Sequence, residues 1–281
     1  PGAPVDALRG ATRRALANLV TLCLDEGAQV LLIAGDLYDG DWQDYGTGLF
    51  FARQMGRLCD AGVRVFVVQG NHDAQSRITR TLRLPGGVTV FGSGAAETRV
   101  LDDLGVAVHG RSYAQRDTRE NLSASYPEPV PGLLNVGLLH TSATGRPPHQ
   151  PYAPCAPADL AAKGYQYWAL GHVHEREVLS ERPWIVFPGN LQGRHARETG
   201  PKGCTLVTAD GQEVLSVEHR AVDVVRWLDL AVDATGCATE TDALERFEEA
   251  LRRNALGTAH EACAVRVRLQ GGTRAHAALQ R

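Results

Sequence analysis

Apolar and polar positions alternate between two rhythms along the first part of this chain. From Asp6 to Glu26 the apolar residues Leu8, Ala15, Leu16, Leu19 and Cys23 fall on one side of a helix, with Asp6 as a cap and Gly27 as the stop. The run VLLIA at 30–34 follows and reads as a buried strand. A second helical pattern covers 44–61, and VRVFVVQ at 63–69 is the next buried run. Helices alternating with buried strands predict parallel pairing and a layered α/β core. Beyond Asp73, the turn Leu84-Pro85-Gly86-Gly87 introduces VTVF, TRVL and VAVHG, expected as short strands of a second sheet. Pro127, Pro129 and Pro131 mark a surface crossing before LLNV at 133–136, and the segment 141–157, with five prolines, is expected as an irregular loop over the site face. A short helix at 157–163, the strands YQYWAL and WIVF and the pair GCTLVTA and EVLSVEHR complete two sheets that face each other with helices outside. From about Val222 a new β-α-β element begins, its helix running from Glu240 to Asn254 with Thr239 or Thr241 as cap.

Four of the buried runs stop at or near glycine and then present metal-binding side chains. The stretches are Gly35-Asp36-Leu37-Tyr38-Asp39, Gly70-Asn71-His72-Asp73, Gly137-Leu138-Leu139-His140 and Gly171-His172-Val173-His174. Groups placed there lie at the carboxyl edge of a sheet, where ligands of layered α/β proteins bind. Asp, Asn and His without thiolate suit hard or borderline cations that handle phosphate, such as manganese, magnesium, iron or zinc. Each stretch alone has a blander reading: an Asx-turn or cap for Asp36 and Asp39, a turn for Asn71 to Asp73, a core histidine for His140, a surface pair for His172 and His174. Together they point to one site. Asp36 is the natural bridging carboxylate, Asn71 a neutral ligand, His72 a general acid or charge-stabilising donor, and Asp73 the group that aims it. Asp39 is assigned to loop structure. His172 and His174, two apart in an extended segment, would face one side together.

Composition narrows the picture a little. Of 281 residues, 43% are hydrophobic and 22% charged, as in ordinary globular proteins, and the chain is long enough for one large domain and a smaller one. A net charge of −3 leaves no bulk attraction for nucleic acid, so any such footprint must be local. Six scattered cysteines without a C-x-x-C pair favour a reduced, cytoplasmic protein, and no membrane-length apolar stretch occurs. The Gly-rich basic stretch at 187–203 offers Arg194, His195 and Arg197 as contacts to substrate phosphate, a solvated loop being nearly as good an account. The arginines between Arg111 and Arg119 read as surface.

The series GD-x-x-D, GNHD, GLLH and GHVH resembles the calcineurin-like metallophosphoesterases, in particular the SbcD-like DNA-repair exonuclease branch, and the stretch at 188–203 resembles its YhaO-like subgroup. The resemblance covers about residues 6–225. It implies a four-layer α/β/β/α sandwich, two manganese-type ions, hydrolysis of DNA phosphodiesters and a partner ATPase of the SMC or Rad50 type, with a homodimer by analogy. Carried over by motif, Asp36, Asn71, His140, His172 and His174 are metal ligands and His72 is the catalytic histidine. The family opens with a strand carrying Asp-x-His, a pattern absent from this sequence. Without it one ion keeps Asp36 and His174, and the other keeps Asp36, Asn71, His140 and His172. The first residue, Pro1 rather than Met, favours a trimmed chain over a degenerate site. The expected organisation is a nuclease domain at 1–221 lacking its first strand, then the start of a small α+β capping domain at 222–281. Two rivals stand beside the nuclease: a phosphodiesterase or phosphatase acting on nucleotides or phosphoproteins, and a non-catalytic docking subunit for the ATPase.

Overall fold

The computed structural model describes residues 8–37, 46–75, 82–143, 152–255 and 262–279. Asp6, Asp39 and residues 144–151 of the proline-rich loop lie outside them. Helix α1 (Ala11–Asp25), strand β1 (Val30–Ile33), helix α2 (Gly46–Asp60) and strand β2 (Arg64–Val67) follow the expected order, with helix ends a few residues inside those predicted. β1 and β2 pair in parallel, Leu31 opposite Val65. Alternation along β2 decides what each face touches. Val65 and Val67 pack with Leu19 and Val20 of α1 and with Phe51, Met55 and Leu58 of α2. Phe66 and Val68 point the other way and meet Phe91, Val108 and Leu138.

One expectation fails here. VTVF does not join the second sheet: β3 (Val88–Val90) pairs in parallel with β2, Val65 opposite Val88. The amide of Val65 donates to the Gly87 carbonyl and that of Phe91 to Val67, so the ladder of the first sheet captures this segment. A three-residue strand carries a face pattern but nothing that names its neighbour.

The second sheet has the order β4-β5-β6-β7-β9-β8. Its strands are β4 (Glu97–Leu101), β5 (Val106–Gly110), β6 (Leu134–His140), β7 (Tyr167–Gly171), β8 (Glu177–Glu181) and β9 (Trp184–Phe187). The four inner strands run parallel and the two edges antiparallel. Leu138 faces the first sheet, whereas Leu139, Trp168, Leu170, Ile185 and Phe187 form the outer face with Leu160 of α3 (Pro157–Ala161). Helices, sheet, sheet and helix therefore form four layers. Trp168 is fully buried, and its truncation to Ala would cost about 3–5 kcal/mol. The ribbon of β10 (Gly203–Asp210) and β11 (Glu213–Ala221) adds Val207, Val214 and Val217 to the cluster around Tyr167 and Val186.

The chain divides into two compact units. One holds Leu16–Leu191 and Gly203–Val222, and the other Pro1–Ala15, Gln192–Lys202 and Asp223–Arg281. In the second unit, β12 (Val225–Asp233) pairs in parallel with β13 (Ala262–Gln270), Val225 opposite Ala262. Helix α4 (Glu240–Ala255) connects them, and α5 (His276–Leu279) follows. The Thr239 hydroxyl accepts the Asp242 amide, while the Asp242 carboxylate accepts the amides of Ala238 and Thr239, a reciprocal cap. All six cysteines are unbridged, and among the described residues no helix is long and apolar enough to cross a membrane.

Candidate metal centre

Four strand ends build the site. Asp36 follows β1, Asn71 to Asp73 follow β2, His140 ends β6 and His172 follows β7. Ligand atoms of Asp36, His140 and His172 all lie within 4.8 Å of one another. Asn71 Oδ1 is 3.0 Å from His140 Nε2, and Asp36 Oδ2 is 3.4 Å from the same nitrogen. The other imidazole nitrogen, Nδ1, is 2.8 Å from the Ala34 carbonyl. A hydrogen on Nδ1 satisfies that carbonyl and leaves Nε2 aimed at the carboxylate and the amide oxygen, the orientation a ligating histidine needs.

The charges agree with that arrangement. Burial works to raise the pKa of Asp36, but attraction to His140, the hydrogen bond between them and the His72 amide outweigh it and bring the group down to about 2. Asp36 is therefore an anion across the working pH range. His140 moves the other way: burial disfavours its charged form, yet the Asp36 carboxylate and the Ala34 carbonyl lift its pKa above the usual value. An anion, two imidazoles and an amide oxygen within this radius make a donor set of oxygen and nitrogen that fits a divalent cation.

Backbone geometry is part of the design. Asp36 and His172 have φ of 52° and 103°, conformations that cost a non-glycine residue about 1–3 kcal/mol and concentrate at functional sites. The glycines before the ligands serve close approach. A Cβ on Gly35 would stand 2.6 Å from His140 Nδ1, and one on Gly70 2.6 Å from His140 Cε1 and hard against the Asp36 carboxylate. These two positions admit only hydrogen.

The remaining predicted residues fall as follows. The His72 amide donates to Asp36 Oδ1 at 3.0 Å, and its side chain is half-buried. Asp73 is buried, and its Oδ2 accepts the amides of Gly70 and Leu37, tying the loops after β1 and β2 together. Burial, helped by the nearby Asp36 charge, raises its pKa although those amides oppose the shift. The extended geometry expected for 172–174 is replaced by a bend. β7 ends at Gly171, Val173 packs against the outer core, and the His174 carbonyl accepts the Asn190 amide. His172 belongs to the group within 4.8 Å, whereas His174 does not.

Arg194, His195 and Arg197 are exposed in the other unit. The Arg194 amide donates to buried Glu198, whose carboxylate also lies 3.7 Å from the His195 imidazole.

Two residues at the centre escape a search for ligand types. Tyr113 meets His140 edge-on with ring centroids 5.3 Å apart, and Tyr152 meets His172 at 5.6 Å. The signal for Tyr113 was its place just after VAVHG, one more strand end on the same sheet.

The profile of the calcineurin-like phosphoesterases matches residues 9–176, and that of the middle domain of metallophosphoesterase YhaO matches residues 227–281. The uncharacterized metallophosphoesterase YhaO of Bacillus subtilis is 33% identical over 246 residues, 86% of this chain and 60% of that protein. The DNA double-strand break repair proteins Mre11 of Sulfurisphaera tokodaii and Methanopyrus kandleri are 23% and 25% identical, over 74% and 80% of this chain and 56% and 52% of their own. The chain thus spans little more than half the length of these relatives. By profile, motif and fold, it belongs to the calcineurin-like phosphoesterase family.

Proposed function

We propose that the protein is a metal-dependent phosphodiester hydrolase acting on DNA. The observation that carries this reading is the meeting of Asp36, His140 and His172 within 4.8 Å, with Asn71 against His140. The family works with a binuclear metal centre. In this reading Asp36 would be the carboxylate shared by two divalent ions, manganese foremost with magnesium, iron and zinc as alternatives. Asn71, His140 and His172 would hold one ion with it, and His174 would serve the other. Bound cations would offset phosphoryl charge and bring the pKa of water toward neutrality. In the same reading His72, whose amide donates to Asp36, gives a proton to the departing alkoxide. Asp73 keeps the two loops in register.

DNA as substrate is supported by the relatives whose printed names concern double-strand break repair. The same reading makes 1–221 the nuclease domain and assigns 222–281 to a capping domain, with an SMC or Rad50-type ATPase as partner.

The test uses the natural protein that contains this chain, with manganese added. Wild type is expected to carry two ions and to cleave DNA, while Asp36→Ala loses metal and roughly 10²- to 10³-fold in kcat. Metal analysis that finds both ions in Asp36→Ala sinks the site assignment. Hydrolysis of cyclic nucleotides or phosphopeptides, with DNA left intact, sinks the substrate assignment.

A further inference from the structure

Tyr113 is 2% exposed, yet its hydroxyl has no hydrogen-bond partner among the described residues. The other two fully covered tyrosines of the same core behave differently. Tyr126 donates to the Leu138 carbonyl at 2.7 Å, and Tyr165 donates to Pro127 at 2.6 Å. A buried hydroxyl left unsatisfied costs about 1–3 kcal/mol, and phenylalanine would fill the same space without that cost.

The backbone that carries this ring is tied down on both sides. The Tyr113 amide donates to the Gln69 carbonyl, and the neighbouring Ser112 hydroxyl accepts the Gln69 amide while donating to Phe91. These bonds clamp the end of β5 to the end of β2, beside Asn71 and His72. The ring then lies edge-on to His140.

We propose that Tyr113 donates its hydroxyl hydrogen to a non-bridging oxygen of the phosphoryl group held at the Asp36–His140–His172 centre. This rests on the reading of that centre as a phosphoesterase site and adds a residue that touches substrate. A tetrahedral oxyanion brought against His140 would supply the acceptor that the described residues do not. The hydroxyl is kept for the bound state, at a cost to the free one.

The experiment compares wild type with Tyr113→Phe in the natural protein, using manganese and inorganic phosphate as probes. The variant is expected to bind manganese as wild type does and to melt no lower without ligands. Its phosphate affinity should fall roughly tenfold, the loss of one such hydrogen bond. Turnover of bis(p-nitrophenyl) phosphate should fall about 10²-fold.

Unchanged phosphate affinity overturns the proposal, as does a wild type that binds no phosphate. A variant that fails to fold also overturns it, because the hydroxyl would then be holding the core. The two readings separate cleanly. Weakened phosphate binding with no diester hydrolysis by either protein keeps Tyr113 and removes the hydrolase. Equal DNA cleavage by both proteins does the reverse.

Discussion

The loops that follow β1, β2 and β7 and the loop at Gln192–Lys202 draw on similar residues: glycine, histidine, asparagine or glutamine, and charged groups. They use them in opposite ways. In the first set the sheet ladder already satisfies the strand backbones, so Asp36, Asn71, His140 and His172 are free to face one another. Asp36 and His172 have strained backbones, and Asp36 and His140 shift each other's pKa. In the second loop the side chains serve the main chain. Gln192 is buried, and its amide oxygen accepts the amides of Val224 and Val225 at 2.9 and 3.2 Å. Its nitrogen donates to the carbonyls of Val225 and Gly193. The start of β12 lacks a strand on that side, and one glutamine supplies the missing partners. Asp36, Asp73 and His140 also take up backbone groups, but Asp36, His140 and His172 keep ligand atoms turned toward one another, whereas both polar atoms of Gln192 are given to the main chain.

The sharpest way to break this contrast is a single methyl group. In Gly70→Ala the new Cβ collides with His140 and Asp36, and the neighbours are held by hydrogen bonds that resist a shift. Misplacing reactive groups by about 1 Å costs on the order of 10²-fold in rate. Gly70→Ala should therefore lose about that factor in kcat on bis(p-nitrophenyl) phosphate and bind manganese more weakly. Normal metal content and turnover would show that the cluster tolerates rearrangement, and the claim of close approach would fall.

Gln192→Ala attacks the other side. It strands two buried amides and a buried carbonyl, for an expected loss of about 2–4 kcal/mol in the unit that contains β12. Hydrogen exchange at Val224 and Val225 should accelerate, while manganese binding stays at the wild-type level. Unaltered exchange at those two amides would show that Gln192 is not what holds them.

How far these differences could be read beforehand depended on chemistry at each position. Asp36, Asn71, His140 and His172 stand out because a charged or ligating side chain directly after a buried run has few structural uses, and here the structure brings them together. The α/β layering was visible for the same reason, in the alternation that sends Val65 and Phe66 to opposite faces. Positive φ at Asp36 and His172 was not visible, since strain is imposed by neighbours distant in sequence. Gln192 looked like part of a basic loop because nothing local says that β12 begins with unpaired amides. Tyr113 was passed over because its ring resembles any core aromatic, and only the unanswered hydroxyl separates it from Tyr126 and Tyr165.

A smaller effect refines the comparison within the larger unit, where His109 and His140 are both fully buried. His140 faces a carboxylate. His109 instead sits between the Thr98 hydroxyl and the Asn135 amide oxygen, at 2.9 and 3.0 Å, and stacks on Tyr165. Burial lowers its pKa and the Asn135 contact only partly opposes this, so it is held neutral. The unfolded chain titrates near pH 6.5. This contribution to stability is therefore complete above that pH. It is lost as pH falls below it, because the unfolded state then takes up a proton that the folded state refuses. The slope can reach at most about 1.4 kcal/mol per pH unit for one proton. Urea unfolding of metal-free protein at pH 7.5 and pH 5.5 should show wild type losing more stability than His109→Gln, which keeps polar contacts but cannot titrate. Equal losses in the two proteins would mean that the imidazole accepts its proton inside the fold, and the division between a structural and a chemical histidine would have to be redrawn.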